Sequence, residues 1–226
     1  MPLTTLIDPA GNAGLAMRDR LGLILLTETA AQMNLATANP ALDPEQWRVR
    51  VFVDRTNIWD EYGHAPARGT EQASPIVNIS WQSAQVDTQT SPIVDYDQRE
   101  SVFFLDCYGY GISRGDGDGH VAADYLAGTE AARCAFLVQQ WLSAAEHYDL
   151  GFDPGQVYKK LISETELQFE LESDTATKVR ARRVTYHVKH TQAFTAITPS
   201  TINSMTLDLV RADNGQLLLR VELPED

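Results

Sequence analysis

Hydrophobic positions along the chain fall into blocks with distinct periods, and the first block predicts a helix. Leu23, Leu26, Ala30 and Met33 recur at i, i+3, i+7 and i+10, with Met17, Leu21 and Leu25 widening the stripe. Arg18, Arg20, Glu28 and Gln32 mark the polar face. Asp8-Pro9 or Asn12 offers a start, and Asn39-Pro40 and Asp43-Pro44 offer a stop. Strand alternation follows. Val49, Val51 and Val53 alternate with Arg48, Arg50 and Phe52, and Val77, Ile79 and Trp81 with Asn78, Ser80 and Gln82. Residues 54–74, rich in Gly, Pro and charge and without a period, read as a long loop, and residues 85–98 as another.

Residues 101–110 are apolar on both faces through Val102, Phe103, Phe104, Leu105, Cys107 and Tyr108, which predicts a central strand covered on two sides. Helices on one side and a second layer or neighbouring chain on the other satisfy that need. A glycine-aspartate loop over 113–119 leads into a helix expected over 120–148, with Asp118 as its cap and Gly151 as its close. Its stripe is Cys134, Leu137, Trp141, Ala144 and Tyr148.

Two hairpins are expected in the last third. Thr165, Leu167, Phe169 and Leu171 alternate with glutamates and Gln168, and residues 178–189 alternate again. Antiparallel pairing sets Phe169 against Ala181, Leu171 against Val179, Glu170 against Arg180 and Glu172 against Lys178. The parity breaks at Arg182-Arg183, which predicts a bulge or bend there. The second hairpin turns on Asp213-Asn214-Gly215, sets Leu209 against Leu219, Leu207 against Val221 and Met205 against Leu223, and places Asp208 beside Arg220. The order of elements predicts an α+β fold. Its sheet is expected to be mostly antiparallel, with two main helices on one face and a C-terminal β-hairpin at 202–223. Residues 1–226 read as one elaborated domain, with loop 54–74 and that hairpin as additions.

Composition narrows the function classes. A net charge of −13 disfavours binding to a phosphate backbone or to an anionic membrane surface. The longest apolar run, residues 21–26, falls far short of a membrane span, and no secretory signal opens the chain. Two cysteines are too few for a disulfide framework, and Cys107 and Cys134 read as small hydrophobes of a cytoplasmic chain.

Motif chemistry is sparse. Gly115-Asp116-Gly117-Asp118-Gly119-His120 looks like a cation loop, but the twelfth position counted from Asp116 is Ala127 rather than a glutamate. A turn is the better reading, with Asp116 and Asp118 as loop carboxylates. His187 and His190, three apart on a strand, point to opposite faces, and no histidine has zinc spacing. Phosphate-loop, dinucleotide and nucleophile-elbow motifs are absent, and Asp106, Asp116 and Asp118 do not by themselves make an acid/base pair. No cofactor or metal site is expected, and the chain does not read as an enzyme. The basic string Lys178, Arg180, Arg182, Arg183 and Lys189 reads as a solvated strand face or as a subunit interface. In the second reading, Arg180, Arg182 and Arg183 join Glu170 and Glu172.

The order of elements resembles that of the tail terminator, or neck, proteins of long-tailed bacteriophages. The resemblance runs over residues 13–190: a helix around Met17 and Met33, strands at 76–82 and 103–111 (ending Asp-Cys-Tyr-Gly-Tyr-Gly), a long helix containing 131–142, then strands at 167–171 and 179–188. Loop 54–74 and hairpin 202–223 depart from a minimal member. The resemblance implies a virion structural protein assembled in the host cytoplasm. It implies a homohexameric ring that caps the tail tube and joins tail to head. The implied partners are further copies of the chain, the tail-tube protein and the head–tail connector. DNA is then expected to pass without specific binding through an acidic lumen, to which Asp116 and Asp118 are candidates to contribute. A head- or tail-completion protein, and a small ligand-binding α+β domain or enzyme around 106–120, are the alternatives.

Overall fold

A computed structural model describes residues 12–56, 58, 74–86, 96–116, 119–144, 147–152, 157–167, 177–193, 206–210 and 217–222. The chain divides into two compact units, Pro9–Phe194, and Met1–Asp8 with Thr195–Asp226.

The larger unit is built on a five-stranded sheet. Its elements are α1 (Ala13–Thr37), a 3-10 turn (Pro44–Trp47), β1 (Arg50–Val53), β2 (Ile76–Val86), β3 (Tyr96–Ile112), β4 (Arg114–Asp116), β5 (Gly119–Val121), α2 (Ala123–Ser143), β6 (Val157–Leu167) and β7 (Thr177–Ala193). The sheet order is β1-β2-β3-β7-β6, with β4 and β5 forming a separate small ribbon. The fold is α+β. The sheet is mixed rather than mostly antiparallel, because β1 runs parallel to β2, while β2–β3, β3–β7 and β6–β7 are antiparallel. Parallel neighbours need a connection of about a dozen residues or more, and the long segment between Val53 and Ile76 provides it.

Asn12 begins α1, its side-chain oxygen accepting from the amides of Gly14 and Leu15. The face of α1 that the sheet buries differs from the expected stripe. Met17, Leu21, Ile24 and Leu25 are buried, whereas Leu23, Leu26 and Ala30 face outward. The helix is apolar around most of its circumference, so periodicity alone admits two stripes. Three polar contacts orient it: Arg18 pairs with Asp54, the Arg20 Nε donates to the Leu150 carbonyl at 2.7 Å, and His147 meets Glu28 at 2.8 Å. Residues of the polar face thus hold the helix in place.

Both helices cover one face of the sheet. Val77, Ile79, Phe103, Leu105, Cys107, Val184, Tyr186 and Val188 point into a core completed by α1 and α2. A second, smaller cluster lies on the opposite face, where Ile58 joins Ile76, Tyr108 and Ala181. Ile58 belongs to the stretch read as a loop and is nevertheless fully buried. The central strand β3 is therefore covered on both sides, as its two-faced apolarity requires.

α2 is shorter than expected. It begins at Ala123, and His120 belongs to β5. Ala122 is its N-cap residue, without a side-chain cap bond, and the Ser113 hydroxyl accepts from the Ala123 amide at 3.3 Å. The expected cap, Asp118, lies outside the described residues. The helix ends at Ser143, and Gly151 takes its left-handed conformation (φ 74°) in a later turn.

β7 shows no bulge at Arg182-Arg183. The parity switch there has another cause: Val179 and Ala181 serve the smaller cluster, whereas Val184, Tyr186 and Val188 serve the helix-covered core. The register shift sits instead on β6, between Leu161 and Ser163. Pairing of β6 with β7 is two residues away from that expected, since Leu167 rather than Phe169 opposes Ala181. Residues 168–176, including Glu170 and Glu172, lie outside the described residues.

In the smaller unit β8 (Thr206–Val210) and β9 (Leu217–Glu222) form an antiparallel pair. Leu209 opposes Leu219, Leu207 opposes Val221 and Asp208 opposes Arg220, the register read from the sequence. Met205, Leu223 and the turn 213–215 lie outside the described residues.

Candidate functional site

One row crosses the sheet on the face away from the helices. Phe52, Asn78, Asp106, Arg183 and Thr165 are successive register partners on β1, β2, β3, β7 and β6. At its centre Arg183 donates to Asp106 through two nitrogens, Nε to Oδ1 at 2.7 Å and Nη2 to Oδ2 at 2.8 Å. This fork geometry makes the strongest kind of ion pair available to side chains. The guanidinium also lies 4.0 Å from the Phe104 ring centroid.

Asp106 is buried, and so are Asn78 and Thr185 beside it. The chain leaving β1 folds towards this row: Asp54 adopts a left-handed conformation (φ 48°), the Arg55 amide donates to Asn78 Oδ1 at 3.1 Å, and Asn78 Nδ2 donates back to the Arg55 carbonyl at 3.0 Å. Burial, helped by the Asp106 carboxylate, pushes the Tyr108 hydroxyl up to about 12. The hydrogen bonds that Arg183 donates to Asp106 hold its guanidinium above its ordinary range. Both oxygens of Asp106 already accept from Arg183, so the pair orders the sheet and does not present an unengaged acid or base.

The candidate interface arginines are likewise engaged within the chain. Arg180 meets Asp124 at 3.2 Å and Glu166 at 3.7 Å, and Arg182 meets Glu164 at 2.7 Å. Glu164 also accepts from Gln139 of α2 at 2.7 Å, and its carboxyl is lowered chiefly by the Arg182 hydrogen bond. Arg180 and Arg182 thus flank α2, while Arg183 points to the opposite face, as its odd position requires. Asp116 ends β4 opposite Gly119, in a ribbon rather than a loop. Asp118 lies outside the described residues.

His187 and His190 do fall on opposite faces. His187 pairs with Glu100, near Lys189, on the face away from the helices. His190 is buried with its Nε2 2.9 Å from the Ser101 hydroxyl, and burial lowers its pKa. Burial also lowers the Lys159 ammonium to about 8 where it donates to the His147 carbonyl and lies 5.6 Å from the Tyr148 ring centroid. Among the described residues no group of three or more His, Cys, Asp or Glu is placed to hold a metal ion.

The outer surface of the helical layer is apolar at several points. On α1, Leu23, Leu26 and Ala30 form an outward stripe, with Leu26 57% exposed. On α2, Tyr125 and Phe136 lie eleven positions apart and share one outward line, 68% and 60% exposed. On the edge strand β6, Tyr158, Leu161 and Ile162 are exposed, two of them at the register shift. The sequence contained the α1 signal, since its apolar residues exceed what one buried stripe uses. Among the described residues no helix is long and apolar enough to cross a membrane. No family model matches the chain, and no curated protein matches its sequence.

Proposed function

We propose that the chain is a structural protein of a bacteriophage neck. In this reading it closes into a ring, hexameric in the related architecture, that caps the tail tube and joins tail to head. The observation that carries an assembly role is the set of large apolar side chains left outward on both helices and on edge strand β6. Subunits of an assembly cover such outward apolar side chains in their contacts. The neck assignment itself rests on the order of elements. A net charge of −13 supports DNA passage, because an acidic lumen repels phosphate. Copies of the chain, the tail-tube protein and the head–tail connector are the proposed partners, and the virion neck its proposed location.

Light scattering on the purified chain, followed by negative-stain imaging, tests this reading. A particle near six times 25.1 kDa with a central hole supports it. A monomer that also leaves purified tail tubes unbound overturns it.

A further inference from the structure

We propose that Cys107 and Cys134 form a reversible disulfide that staples α2 to the central strand β3. The two thiols are 27 positions apart in sequence, yet both are fully buried in the helix-covered core. Both belong to one buried cluster, Cys107 on β3 and Cys134 on α2. Each sulfur has one weak partner, Cys107 the Leu105 carbonyl at 3.8 Å and Cys134 the carbonyl of Ile76, the residue next to Cys107's register partner Val77, at 3.7 Å.

The backbone geometry brings the two elements close. A Cβ on Gly109 would lie 2.2 Å from the Ala127 carbonyl oxygen, and one on Gly111 would lie 2.1 Å from that of Ala123. Helix and strand therefore touch backbone to backbone, through glycines on β3 and the buried alanines 123, 127, 131 and 135 on α2. Two strand residues advance about 6.6 Å and four helical residues about 6 Å, so the two elements stay in step. Gly111 meets Ala123 and Ala127, and Gly109 meets Ala127 and Ala131. The next step places Cys107 against the turn that carries Cys134. A disulfide needs Cα atoms about 4.4–6.8 Å apart, a range that ordinary side-chain packing between helix and sheet prevents. The small residues remove that obstacle.

The oxidant is a small-molecule disulfide. One thiolate attacks it, releasing one thiol and leaving a mixed disulfide; the second cysteine then displaces the other half. Two S–H bonds and the external S–S bond are lost, one internal S–S bond forms, and two electrons and two protons leave on the released thiols. Burial raises the Cys107 thiol well above its ordinary range, so attack waits for a local opening, and the reaction is slow in the native protein.

The test incubates the full chain, natively folded, with oxidised glutathione, then blocks remaining thiols and measures intact mass and peptide cross-links. The expected product has lost two hydrogens, carries a Cys107–Cys134 peptide, and melts roughly 5–10 °C higher than the reduced chain until dithiothreitol reverses it. Cys107→Ala and Cys134→Ala are expected to show neither the cross-link nor the rise. A stable glutathione adduct, a dimer joined through either cysteine, or two free thiols after prolonged exposure overturns the proposal. So does a cross-link that forms only in denaturant. None of these readouts depends on the neck assignment.

Discussion

Asp106 and Arg183 carry the most concentrated polar contact in the sheet, and each covers the other's cost. Asp106 is buried, and Arg183 bonds it twice while stacking on Phe104. Removing one partner leaves a poorly hydrated charge, so Asp106→Ala is expected to cost about 2–3 kcal/mol in urea unfolding. The double variant Asp106→Ala with Arg183→Met should recover part of that loss; strict additivity would show that the pair is not coupled. His190 sets a pH response. Its folded pKa lies below the ordinary 6.5, through burial and then the charge of Arg99, so on acidification the unfolded chain takes the proton first. Stability is therefore lost as pH falls below about 6.5. The melting midpoint should drop more steeply from about pH 7.5 to 5.5 in the native chain than in His190→Gln, and equal slopes would refute the assignment. Neither residue announced this role. Asp106 was one carboxylate among 31 acidic side chains, and His190 one of five histidines, until strand register supplied their neighbours.

At the scale of elements, contact between α2 and β3 gives glycine substitutions opposite signs. Gly109→Ala puts a methyl into the Ala127 backbone, which cannot yield as a flexible side chain would, and is expected to destabilise by about 3 kcal/mol. Gly128, in α2 with open space around its added Cβ, should stabilise by about 1 kcal/mol when replaced by Ala. Thermal melts of both variants check the pair, and a neutral Gly109→Ala would mean that α2 sits farther from the sheet. The strands were legible where the side-chain pattern was regular: β1, β2 and the β8–β9 register follow from alternation, and β3 from apolarity on both faces. Legibility failed on β7, where burial passes from one face to the other, so that a parity switch resembled a bulge. It also failed at the start of α2, where Gly115 to His120 reads as a loop but pairs as a ribbon.

For the whole molecule, the outward apolar positions of α1 and α2 make the assembly reading testable residue by residue. Leu26→Glu and Phe136→Glu remove apolar surface that the chain's own core does not use. Each is expected to leave the unfolding free energy of a single chain within about 0.5 kcal/mol of the parent while weakening association in light scattering. A variant that unfolds instead would place these side chains in the core; one that associates as the parent does would exclude those faces from the contact. Internal pairing of Arg180, Arg182 and Arg183 directs attention away from a charge-driven interface and towards these apolar positions.

Sequence periodicity by itself determined the α+β class, the central place of β3, the opposite faces of His187 and His190, and the β8–β9 register. Each follows from side-chain periods of 2 and 3.6 along the chain. Tertiary structure alone decided which side of α1 is buried, which way β1 runs, where the bulge falls, and that Cys107 and Cys134 share one core. These depend on contacts between segments far apart in the chain. A helix apolar on most sides and a strand apolar on both faces leave more than one solution until their partners choose among them.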